Sequence, residues 1–198
     1  MGYSLLRMNL PNKLTLSRFY LTMFFVASLS VSFPYCKTVA FILFVIASIT
    51  DYLDGEIARS QNLITDFGKL MDPLVDKIMT AAAFICLIPT GAIPAWVAIV
   101  IIAREFLITG LRLLATAKGL ILSAERLGKY KTSWQIATIL YFLLIQAGGE
   151  WLPLPVGNVY YDGFRFFMDK LMISVTVVLT LYSGIGYYWK NRSLITSK

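Results

Sequence analysis

The sequence predicts an all-α, polytopic membrane protein with six transmembrane helices. Hydrophobic residues make up 58% of its 198 residues, and the mean hydropathy is +0.70, above what a soluble domain of roughly half apolar content would show. The apolar residues fall into six stretches, most close to the ~20 residues that cross a bilayer, parted by proline, glycine or charged breaks. The basic excess, a formal net charge of +7, sits in those breaks and not in one solvated run. That distribution points to membrane topology and anionic lipid, and away from nucleic acid, as the partner.

Residues 1–13 mix polar and apolar types around Arg7 and Lys13, the pattern of a short amphipathic helix on the membrane surface. A frayed terminus would have the same composition. Residues 14–33 make the first span. Small residues at 27–32 would also suit signal-peptide cleavage, but the span is long for a signal peptide's apolar region. A turn at 34–37 leads into the second span, which runs from about residue 38 into an acidic stretch. The third span covers 69–88, and Pro89 and Pro94 bracket a clear break. The fourth covers 95–115 and is followed by a polar loop, 116–131, with Lys118, Glu125, Arg126, Lys129 and Lys131. The fifth covers 132–147, a loop rich in proline, glycine and aromatic residues covers 148–163, and the sixth covers 164–189. Trp151, Tyr160, Tyr161 and Trp189 fit interfacial aromatic anchors. One domain, 1–198, accommodates all of this.

Six spans leave both termini on one side, together with residues 60–68 and 116–131. Of the eighteen lysines and arginines, only Lys37, Arg165 and Lys170 then fall opposite. The basic side is cytoplasmic by the positive-inside rule. Cys36 and Cys86 lie far apart, form no ligand pattern and say little about redox compartment. The absence of histidine says more. It excludes a phosphohistidine intermediate, a histidine general base and the usual zinc sites.

Four acids, Asp51, Asp54, Asp72 and Asp76, meet at the cytoplasmic ends of the second and third spans. Residues three or four apart share a helical face, so they form two pairs on either side of a turn-like stretch, 60–66. A charge at the bilayer centre costs about 2.5–3.5 kcal/mol. Four without compensation would cost about 10–14 kcal/mol, as much as a whole domain's stability. They must lie at the interface, in a wet cavity or against cations. All-oxygen ligands with no histidine suit a hard ion, magnesium or manganese.

The spacing Asp51-x2-Asp54-Gly55-x2-Ala58-Arg59-x8-Gly68-x3-Asp72-x3-Asp76 matches the signature of the CDP-alcohol phosphotransferases at every fixed position, and the chain resembles that family over nearly its whole length. Residues 9–18, 104–112 and 128–132 resemble its bacterial-type branch that uses sn-glycerol 3-phosphate. The resemblance implies a six-helix enzyme of the bacterial inner membrane, commonly a homodimer, with an amphipathic N-terminal helix and its active site on the cytoplasmic face. It would transfer the phosphatidyl group of CDP-diacylglycerol to sn-glycerol 3-phosphate and release CMP. By the same resemblance Asp51, Asp54 and Asp72 hold a two-metal centre, and Asp76 touches a metal and accepts a proton. Asn12, Thr15, Gly55, Ala58, Arg59, Thr65 and Gly68 would form the CDP-diacylglycerol site.

The residue types suit those roles. Gly55 and Ala58 lack bulk where a nucleotide must approach the backbone, and Arg59 offers a planar fork to a phosphate oxygen. Asn12, Thr15 and Arg18 recur every three residues and share a face. Without histidine, a carboxylate beside a metal is the available base for an attacking hydroxyl. Arg104 and Arg112 lie on one face of the fourth span, and Lys129 and Lys131 adjoin them. That cluster fits an acceptor carrying its own phosphate, although topological anchoring would also place lysines there. Within the family, inositol phosphate, serine or phosphatidylglycerol is the alternative acceptor. An ion-coupled transporter could also place acids in spans, but transport does not require the Gly-x2-Ala-Arg pattern between two acid pairs.

Overall fold

Among the described residues the chain forms six helices, as an all-α protein should: α1 Leu10–Ser30, α2 Cys36–Gln61, α3 Asp66–Leu87, α4 Ala95–Ala117, α5 Arg126–Trp151 and α6 Val159–Asn191. The structure, a computed structural model, describes residues 10–61, 66–117, 126–151 and 159–192, with side chains for 16–50, 77–116, 128, 130–151, 162–190 and 192. Among the described residues there is no strand.

The breaks have local causes. At the end of α1 the hydroxyls of Ser28 and Ser30 donate to the carbonyls of Phe25 and Val26 at 2.7 and 2.8 Å, competing with continuation of the helix. Between α3 and α4, Gly91 takes a φ of +72°, a left-handed turn that glycine adopts without steric penalty. Its N–H donates to the Ile88 carbonyl at 3.0 Å, and Pro94 then precedes α4.

Helix ends differ from the sequence expectation. Residues 10–13, expected in a separate surface helix, continue into α1; residues 1–9 of that expected helix lie outside the described residues. The loops expected at 116–131 and 148–163 are shorter, because α4 runs on to Ala117, α5 starts at Arg126 and ends at Trp151, and α6 starts at Val159. Apolar runs mark where lipid ends, but helical hydrogen bonding continues past that point while long polar side chains reach water. Among the described residues one segment, Asp162–Lys190, is long and apolar enough to cross a membrane by length and composition. Leu16–Ser30, Cys36–Thr50 and Lys77–Leu87 are shorter apolar stretches. The outer surface is apolar as well: Phe24, Ile99, Phe166, Phe167, Val178 and Tyr182 are each at least 63% exposed, an exterior suited to hydrocarbon.

The helices close into a ring. α1 packs on α2, α2 on α5, α5 on α6, α6 on α4, α4 on α3 and α3 back on α1, while α3 also touches α5 across the middle. The apolar core fills one end of this ring. It comes from the second halves of α1, α3 and α5 (Phe25, Ala83, Phe84, Leu87, Ile139, Leu143) and the first halves of α2 and α4 (Ala40, Phe44, Ala47, Val97, Ile101). Alanines let backbones approach, and the rings of Phe25 and Phe44 fill the space between at 5.8 Å. A buried polar seam joins α5 to α6: Gln135 donates to Thr180 at 3.2 Å, Thr138 pairs with Thr176 at 2.8 Å, and Tyr141 donates to Asp169 at 2.8 Å. Interhelical bonds of this kind hold helices together where hydrophobicity gives no preference.

At the core end, α5 caps α2. Glu150 Oε1 accepts the Lys37 N–H at 3.0 Å, and Oε2 accepts the Thr38 N–H at 2.9 Å and the Thr38 hydroxyl at 2.7 Å. These N–H groups have no partner within α2, and a carboxylate there also meets the positive end of the helix dipole. Trp151 Nε1 donates to the same Thr38 hydroxyl, at 2.6 Å. Burial pushes the Glu150 carboxyl up, but the bonds from Lys37, Thr38 and Cys36 together outweigh it and leave it below the usual carboxylate range. A depressed carboxyl stabilises the fold above its unfolded pKa and loses that contribution as pH falls through the folded value. Glu150→Gln is therefore expected to lower the melting temperature at pH 7 by about 1–4 °C, for a helix-end charge of about 0.3–1 kcal/mol. In thermal scans at decreasing pH, the gap from the wild type should close below about pH 4.

Candidate functional site

Beyond the apolar core, α3, α4 and α5 bound a cavity of about 420 Å³, within the range of small-molecule sites. Lys77 of α3, Arg104 and Arg112 of α4 and Lys131 of α5 line it, with Glu105 and Thr109. Among the described lining residues, four cations face one carboxylate. Glu105 is only 6% exposed and serves all three neighbouring cations. Its Oε1 accepts from the Lys131 ammonium and from Arg104 Nη1 at 3.3 Å, and its Oε2 lies 3.4 Å from Lys77 Nζ. A carboxylate and a lysine this deeply buried persist as ions only because they are paired.

α6 aims the two arginines. Arg104 Nη2 donates to the Ser183 hydroxyl at 3.2 Å. One residue on, the stem of Arg104 crosses Gly184 so closely that a Cβ there would lie 2.9 Å from Arg104 Cγ. One turn later, Arg112 Nε donates to the Tyr187 hydroxyl at 3.3 Å, and its guanidinium sits 5.4 Å from the centre of that ring. Tyr187 is itself buried. Guanidinium groups held this way present planar forks that match phosphate oxygens. A cavity whose described lining holds four cations and the hydroxyl residues Thr109, Thr132 and Ser133 can bind a small doubly charged anion.

Of the acceptor residues expected from sequence, Arg104, Arg112 and Lys131 come together here. Lys129 lies on α5, and its side chain is outside the described residues. Asp51, Asp54, Gly55, Ala58 and Arg59 lie in the second half of α2, and Gly68, Asp72 and Asp76 in the first half of α3. Asn12 and Thr15 lie at the start of α1, which packs on both helices. The side chains of these residues are outside the described set, as is Thr65 altogether. Arg18, the third member of the Asn12–Thr15 row, is buried. α3 links the two regions: Asp72 and Asp76 stand one turn apart, and the next residue, Lys77, reaches the cavity. The four aspartates of α2 and α3 would offer the oxygen ligands that hard divalent ions require.

Sequence reasoning missed Glu105, Lys77, Ser183, Gly184 and Tyr187 as parts of this site. Glu105 sits inside the 104–112 stretch, but its partners come from helices 26 and 28 residues away. The spacing of Ser183, Gly184 and Tyr187 on one face of α6 was the available signal.

Residues 8–182 match the sequence profile of the CDP-alcohol phosphatidyltransferase family. The chain is 40% identical over 195 residues to the CDP-diacylglycerol–glycerol-3-phosphate 3-phosphatidyltransferase of Bacillus subtilis (strain 168), covering 92% of this chain and 95% of that one. It is 31% identical over 180 residues to the enzyme of the same name from Rickettsia felis, covering 91% and 93%.

The tight crossing at Gly184 makes a specific prediction. Gly184→Ala gains helix propensity but forces its methyl against the Arg104 stem, an overpacking that costs about 1–3 kcal/mol. In a double-mutant cycle with Arg104→Ala, read by thermal unfolding, the Gly184→Ala penalty should disappear. An equal penalty in both backgrounds would place the conflict elsewhere.

Proposed function

This chain belongs to the CDP-alcohol phosphatidyltransferase family, and from that premise we propose that it transfers the phosphatidyl group of CDP-diacylglycerol to sn-glycerol 3-phosphate, giving phosphatidylglycerophosphate and CMP. The relatives named for that reaction support the assignment. The observation that carries the acceptor choice is the cationic cavity beginning one residue beyond Asp76 on α3. Serine, which carries no phosphate, would gain little from these four cations, whereas a phosphate monoester would.

In this reading Arg104, Arg112 and Lys131 hold the acceptor's phosphate and aim its glycerol end toward the aspartates. A glycerol hydroxyl loses its proton to Asp76, its oxygen bonds to the phosphatidyl phosphorus, and the bond from that phosphorus to the CMP oxygen breaks. Displacement is direct and in line, with no covalent enzyme intermediate. Asp51, Asp54, Asp72 and Asp76 would hold two magnesium or manganese ions, which supply charge neutralisation for the pyrophosphate and for the departing oxygen. Asn12, Thr15, Gly55, Ala58, Arg59, Thr65 and Gly68 bind the cytidine diphosphate end of the donor, and Lys129 is a further acceptor-binding residue. The six helices span the cytoplasmic membrane with both termini and the site on the cytoplasmic side, as the distribution of basic residues supports. A homodimer is part of the same proposal.

Purified protein with CDP-diacylglycerol, sn-glycerol 3-phosphate and magnesium is expected to release CMP, and a chelator should abolish the release. Asp76→Asn should lower kcat by about 10²–10⁴-fold, the usual weight of a general base, with an unchanged helical circular-dichroism spectrum. Full activity in that variant would remove Asp76 from its role. Arg112→Ala should raise the KM for sn-glycerol 3-phosphate about 10-fold or more, as loss of a charged hydrogen bond of about 1.5–3 kcal/mol implies. The KM for CDP-diacylglycerol should stay within about twofold. Preference for serine or inositol phosphate in an acceptor panel would contradict the assignment.

A further inference from the structure

We propose that Glu105 is a positioning residue, a buried carboxylate that holds Lys131, Arg104 and Lys77 in the one arrangement that takes a phosphate monoester. The ligand's identity here rests on the function proposed above, while the role of Glu105 rests on the geometry of this cavity. Cations from three different helices meet on this single side chain, and both of its oxygens are engaged. Among the described residues lining the cavity it is the only acid.

Net charge alone gives Glu105 no place here. A carboxylate beside an anion site repels the ligand, so its presence has to be explained by what it does to the cations. Lys131 is the key case. Its side chain is 2% exposed, and a lysine's four-carbon stem is flexible, with an ammonium that needs either water or a counter-charge. Without Glu105, the ammonium would swing out to water or give up its proton, and in both cases it would stop pointing at the ligand. The same carboxylate takes Arg104 Nη1 while Ser183 takes Nη2, so the guanidinium plane is fixed at both ends before any ligand arrives. Preorganised donors of this kind select the ligand that satisfies them. A phosphate monoester brings these cations a counter-charge, and a neutral polyol of the same size does not.

The sign of one substitution separates these ideas. Glu105→Gln keeps the shape, removes the charge and leaves the cavity more positive. The test uses the full-length protein in nanodiscs, with KM and kcat measured for both substrates. Thermal protection by sn-glycerol 3-phosphate, with glycerol as control, is measured without donor. Glu105→Gln is expected to raise the sn-glycerol 3-phosphate KM at least tenfold, to leave the CDP-diacylglycerol KM within twofold, and to lose the thermal protection seen in the wild type. An unchanged or lower acceptor KM would overturn the proposal, as would an equal rise in both KM values. Glu105→Asp keeps the charge and draws it back by one methylene; it should fall between the other two, and it carries the same test if Glu105→Gln does not fold. Should the wild type release no CMP with this acceptor, the function proposed above fails. The protection measurement still decides on Glu105: protection present in the wild type and lost in Glu105→Gln upholds its role, and no difference between them overturns it.

Discussion

An ionisable group inside an apolar bundle has to find its counter-charge there, and Glu105 is where this chain meets that requirement. Lys77, Arg104 and Lys131 reach it from α3, α4 and α5, the three helices that converge on the cavity. Three cations from separate helices repel one another. Shared by one carboxylate, they become a cross-tie. The arginines are then finished from α6, through Ser183, Gly184 and Tyr187, which explains why α6 must pack against α4 as well as α5. The charged cavity and the closure of the helix ring are in this sense one arrangement.

The two ends of the bundle divide the work of holding and of reacting. Alanine and phenylalanine pack the end where α1, α3 and α5 finish, and Glu150 caps α2 there. The polar seam of α5 and α6 joins that end to the charged one. At the other end, polar side chains replace apolar packing, and α3 carries Asp72 and Asp76 in the turn before Lys77, which lines the cavity. An enzyme acting on a lipid headgroup needs this asymmetry, because its donor lies in the bilayer and its acceptor arrives from water.

Much of this was legible in the sequence because it follows from local spacing. Six apolar stretches with proline, glycine and charged breaks marked six helices, and the four-residue steps from Arg104 to Arg112 placed both arginines on one face. The acidic signature identified the family before any fold was known. Helix ends were less legible: Arg126, Lys129 and Lys131 look like loop residues by polarity, yet α5 begins at Arg126 and carries Lys131 into the interior. Glu105 and Glu150 were missed for a shared reason. Each has partners 26 or more residues away, on other helices, and nothing in the adjoining sequence distinguishes such an acid from a solvated one.

If the cationic cavity and the four aspartates form one site, the acceptor's phosphate lies in the first and its hydroxyl at the second. A crystal structure with manganese and sn-glycerol 3-phosphate tests this most directly. The phosphate should lie between Arg104, Arg112 and Lys131, with anomalous manganese peaks at the aspartates of α2 and α3 and the glycerol hydroxyl facing them. A phosphate bound away from that cavity, or no manganese among those aspartates, would contradict the account.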